Sequence, residues 1–147
     1  MKKKIAVAAS AVLAVVLLSG FRGGGWGFHR DPERIKQMIT WRLNDKLEDI
    51  DATEGQKQAV QGVKDRLFED GKRLAEEHQA TRLEVLTQLE SDAPDAQKLH
   101  GLVDARIDAA RAFAHKVVDA ALEVHRVFTP EQRKQLATEY REKMDIR

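Results

Sequence analysis

The sequence predicts an all-α fold of four helices, in which two long antiparallel helices form a bent hairpin flanked by two shorter ones. Three observations carry this. Apolar residues recur at three- and four-residue steps along most of the chain beyond residue 31. Two Thr-x-x-Gln steps, Thr53-Glu54-Gly55-Gln56 and Thr129-Pro130-Glu131-Gln132, each have the form of a capping box. Between them, Ser91-Asp92-Ala93-Pro94-Asp95 is a short break that turns one long helix back on the next. Composition agrees, since 147 residues with 33% charged, 42% hydrophobic and 5% aromatic content suit one domain of elongated amphipathic helices. So thin a core invites a partner chain, and a homodimer is expected.

The first helix is predicted over about 32–51. Asp31-Pro32-Glu33 supplies a cap, a proline at the first helical position and an acid in the first turn. Ile35, Met38, Ile39, Leu43, Leu47 and Ile50 form its stripe. The second follows Thr53 and spans most of 54–90, with Val60, Val63, Leu67, Leu74, Val85 and Leu89 on one face. Gly55, Gly62 and Gly71 weaken it locally, so a bend near Gly62 or Gly71 is expected. Leu99, Val103, Ala110, Phe113, Val117, Ala121, Val124 and Phe128 stripe the third helix, and the second capping box opens a short fourth with Leu136, Tyr140 and Met144 on one side.

Ahead of this domain lie two segments of different character. Lys2-Lys3-Lys4 form a basic start, and Ile5 to Leu18 is apolar apart from Ser10. As a helix that run is roughly 21 Å long, short of the roughly 30 Å hydrocarbon core, so residues 1–20 read as a secretory signal peptide. Small residues suited to cleavage come late, as in Gly23-Gly24-Gly25, and an uncleaved tether stays open. The expected compartment is the periplasm. Residues 21–30, Phe-Arg-Gly-Gly-Gly-Trp-Gly-Phe-His-Arg, read as a flexible glycine-rich arm, and 31–147 as the helical domain.

Charge and residue inventory exclude several functions. Removing the three leading lysines from the 25 basic residues leaves 22 against 24 acidic ones, a net charge near −2. Balanced, interspersed charge lacks the basic footprint of a nucleic-acid binder. With no cysteine there is no disulfide, thiolate ligand or thiol nucleophile. Beyond the signal the serines reduce to Ser91, which no nucleophile motif surrounds. The carboxylates alternate with Lys and Arg, as in Glu69-Asp70-Gly71-Lys72-Arg73, in the manner of a solvated helix face. No glycine loop is built for phosphate. No catalytic residue and no cofactor are expected.

Two binding readings remain. Trp41 sits off the apolar stripe of the first helix beside Met38, Arg42 and Lys46, a set that would hold an unfolded chain by apolar contact with charge steering the encounter. The alternative for Trp41 is packing against a neighbouring helix or a dimer mate. For metal, His115 and Asp119 lie one turn apart, and antiparallel pairing of the first two helices brings His29 near His78. Zinc or another divalent transition metal would need further ligands from a dimer mate. The plainer readings are an ion pair for the first couple and a half-buried histidine for His78.

Taken together, these residues resemble the Spy/CpxP group of small periplasmic helical proteins, whose hallmark is a twice-repeated Leu-Thr-x-x-Gln. The copies here are Ala52-Thr53-Glu54-Gly55-Gln56 and Phe128-Thr129-Pro130-Glu131-Gln132, each departing at the leading Leu. The resemblance implies an ATP-independent chaperone or envelope-stress adaptor, a bent dimer of hairpins holding partly folded envelope proteins or engaging the sensor domain of a membrane kinase. The wider group includes heavy-metal sensors and resistance proteins that use His and Met ligands, whose dense histidine motifs are not matched here.

Overall fold

In the computed structural model the described residues are 31–143, so the signal segment, the glycine-rich arm and His29 lie outside them. They form four α-helices and no strand: α1 (Pro32–Asp49), α2 (Glu54–Glu90), α3 (Ala96–Val127) and α4 (Pro130–Lys143). Helices α2 and α3 are the arms of an antiparallel hairpin. Contacts Asn44–Gln61, Thr40–Lys64 and Lys36–Asp65 rise along α2 as they fall along α1, so α1 lies antiparallel on one flank of α2.

Local chemistry sets each boundary. The Asp31 carboxylate accepts from the Glu33 amide at 3.1 Å, and Pro32 opens α1 where its missing N–H is no loss. Helix α1 ends at Asp49, two residues short of the expected 51, because a Schellman turn stops it. The Ala52 amide reaches back to the Leu47 carbonyl (2.9 Å), the Asp51 amide to that of Glu48 (3.0 Å), and Asp51 takes the left-handed φ of 51°. Leu47 and Ala52, the two residues such a turn brings together, are both buried in the core. Thr53 then caps α2, which runs unbroken through Gly55, Gly62 and Gly71 to Glu90. At the hairpin tip the Asp95 side chain caps α3 through the Lys98 amide.

The core is confined to one end. Leu43 and Leu47 of α1 and Ile50 just past its end meet Val60, Val63 and Leu67 of α2, Phe113, Val117, Ala120 and Val124 of α3, Phe128, and Leu136 of α4. Between Gly71 and Phe113, the whole outer half of the hairpin, no residue is fully buried. Among the described residues only two helices run side by side there, and a two-helix ribbon cannot enclose a side chain. His78 is accordingly exposed rather than half-buried, although it lies about five turns beyond buried Val60 on the same line of α2.

Candidate functional site

The Thr-x-x-Gln steps make the most connected polar site among the described residues. Each is a complete capping box: the Gln56 amide donates to Thr53 Oγ1 (3.2 Å) and the Thr53 amide to Gln56 Oε1 (2.9 Å), while Gln132 and Thr129 repeat the pair at 3.2 and 3.0 Å. The boxes also meet. Gln56 Nε2 donates to Gln132 Oε1 at 2.9 Å, and Gln132 Nε2 donates to Gln56 Oε1 at 3.1 Å.

The second hydrogen of each amide crosses to the other corner. Gln56 Nε2 donates to the Val127 carbonyl at the end of α3 (2.9 Å), and Gln132 Nε2 to the Ile50 carbonyl at the end of α1 (3.2 Å). A carboxamide offers two donors and two acceptor positions, and here all four are used on each glutamine. The corners are thus related by an approximate two-fold exchange, in which each glutamine caps its own helix and ties off the helix ending at the other corner. The leading positions, Ala52 and Phe128, are both buried in the core.

Further side chains close the same end. Arg133 Nη1 donates to the His125 and Phe128 carbonyls (3.1 and 2.9 Å), satisfying acceptors that α3 leaves unpaired. Partial burial first, then the nearby Arg133 and Arg126 charges, hold the His125 pKa below the usual imidazole range. Gln135 donates to the Asp49 carbonyl at 2.8 Å. Lys46 bridges Asp49 (2.6 Å) and Glu139 of α4 (3.0 Å), and those hydrogen bonds raise its pKa. Buried Lys64 donates to Thr40 Oγ1 at 2.7 Å and lies 3.2 Å from Asp65.

The sequence-derived client residues fall in two groups. Met38 and Trp41 stand out from α1, Trp41 with 68% of its surface exposed, and Arg42 is exposed beside them. Lys46 is half-buried and engaged by its two carboxylates, so it is not a mobile charge. His78, His115 and Asp119 are exposed on α2 and α3, and His29 lies outside the described residues. Among the described residues no three His, Asp or Glu side chains come together as an ion would require.

A surface the sequence reading did not single out lies along the hairpin. Its two sides differ. On one, ion pairs join the helices at Arg66–Glu123 (2.6 Å), Asp70–Lys116 (2.8 Å), Glu77–Arg106 (3.1 Å) and Glu84–Lys98. Counting about 100° per residue, Leu83 and Leu86 lie about 140–160° round α2 from Asp70. Val103, Ile107 and Val118 lie a similar angle or more round α3 from Lys116. They therefore share the side opposite the ion pairs, and each has more than half of its surface exposed.

The chain belongs to the LTXXQ motif family, whose model matches residues 38–140. That stretch takes in both capping boxes, most of α1 and all of the hairpin. No curated protein and no solved structure gives a match. No helix among the described residues is long and apolar enough to cross a membrane.

Proposed function

We propose that this protein is a non-enzymatic accessory of the bacterial envelope that holds partly unfolded client proteins without ATP. The observation that carries the reading is the apolar side of the outer hairpin. Leu83, Leu86, Val103 and Ile107, with Val118 nearer the core, are open to solvent on the side of the helix pair opposite its inter-helix ion pairs. Such a surface binds apolar segments by area alone, with no fixed hydrogen-bond geometry, which suits clients of no particular sequence. Met38 and Trp41 of α1 add apolar area, with Arg42 beside them to steer encounter. Family membership and the signal-like first twenty residues support the periplasm as the compartment.

This reading places client holding ahead of metal binding, because no three His, Asp or Glu side chains gather around the exposed histidines among the described residues. The test is light scattering from an aggregating client with equimolar protein and no nucleotide. Suppression is expected, and Ile107→Asp with Leu86→Asp should weaken it severalfold while leaving the urea midpoint near that of the parent. Absence of suppression at several-fold excess refutes the reading.

A further inference from the structure

The apolar side of the hairpin has an occupant over half of its length already, and that occupant is α1. Lys36 lies 3.8 Å from Asp65, with its ammonium 5.6 Å from the centre of the Phe68 ring. Eighteen residues make about five full turns of helix, so Leu83 repeats the position of Asp65 and Leu86 that of Phe68. The groove side that α1 covers near the core therefore continues, uncovered, toward the tip. Val103 and Ile107 line its other edge on α3.

We propose that the segment preceding α1, through Trp26 and Phe28, docks on this uncovered stretch and competes there with other apolar ligands. Position supports it: α1 runs antiparallel to α2, so its first residue, Pro32, is the end of α1 nearer the tip, near the level of Gly71. Reach supports it as well. From Gly71 to Leu86 is roughly 22 Å along the helix, and ten extended residues span up to roughly 33 Å. Chemistry supports it third, since residues 21–30 hold three of the chain's eight aromatic residues, Phe21, Trp26 and Phe28, separated by glycines that impose little steric bulk. A tethered segment also meets the surface at a high effective concentration, which compensates for a small contact.

Competition with clients rests on the function proposed above, whereas docking does not, and fluorescence tests docking without any client. The chain has two tryptophans, so Trp41→Phe leaves Trp26 as the sole reporter. In protein recovered from the cell envelope, with its first residue fixed by mass spectrometry, Trp26 emission is expected blue-shifted from free tryptophan. Its acrylamide quenching is expected about twofold weaker than after a further Ile107→Asp change, with Leu86→Lys as the second variant should Ile107→Asp lower the urea midpoint. Equal quenching with and without the charged substitution overturns the proposal. So does protection that appears only at concentrations where sedimentation detects self-association, which would assign the surface to a second copy. If docking holds, removing residues 21–30 raises client holding severalfold; unchanged holding overturns the competition alone.

Discussion

Truncating Gln132 to Ala isolates what the paired glutamines contribute. The change deletes four hydrogen bonds: to Gln56 in both directions (2.9 and 3.1 Å), to the Ile50 carbonyl (3.2 Å) and from the Thr129 amide (3.0 Å). At about 0.5–1.5 kcal/mol net for each, with water replacing the more exposed ones, the expected loss is about 2–3 kcal/mol. Thr53→Ala, which removes one cap acceptor, should cost only about 1 kcal/mol. The decisive quantity is the coupling. Gln56→Ala also removes four bonds, two of them shared, so the double variant loses six and the interaction energy should be about 1–2 kcal/mol. Urea unfolding followed by far-ultraviolet dichroism measures all four corners of the cycle. Additivity within about 0.3 kcal/mol would refute the view that the two boxes form one unit.

Other perturbations address separate features. Asp51→Gly should raise stability by about 0.5–1 kcal/mol, because φ 51° suits glycine; a lower urea midpoint would contradict the role given to this turn. His125 has a lowered pKa, so below its unfolded value of about 6.5 the unfolded chain takes the proton first. Its contribution is therefore intact above about pH 7 and fades on acidification toward pH 5, and His125→Gln should flatten that part of the profile. An equal fall in variant and parent would exclude His125. Amide hydrogen exchange should divide the molecule near Gly71 and Phe113, with strong protection on the core side and protection weaker by at least about tenfold toward the tip; uniform protection along α2 would contradict the one-ended core.

Much of the architecture could be read from local signals, because each helix boundary is set by residues adjacent in sequence. Thr53, Asp31 and the Pro94 break each act within four residues of themselves. The exposure of Trp41 followed from its angle on the helix. What escaped were consequences of long-range pairing. The engagement of Lys46 depends on Glu139, which lies 93 residues away. The exposure of His78 depends on how many helices run alongside it, which periodicity along one helix does not encode. The meeting of Gln56 and Gln132 was nearer to hand. A hairpin that sets Arg66 opposite Glu123 brings the start of α2 beside the end of α3, and with them the two capping boxes. A capping box at the end of a single helix engages only the glutamine oxygen, and leaves both amide protons free to find acceptors elsewhere.

The exchange between the corners has a consequence for how this sequence tolerates change. Residues 56 and 132 stand 76 positions apart, yet neither can be altered alone without leaving the other's amide and a distant helix-end carbonyl unpaired. A drift at one site is felt as a fault at the other, so the two behave under substitution as one heritable character written in two places. The exposed tip, held by surface ion pairs worth little individually, carries no such constraint. Variation can accumulate there, reshaping what the hairpin grips, while the base that orients it stays fixed.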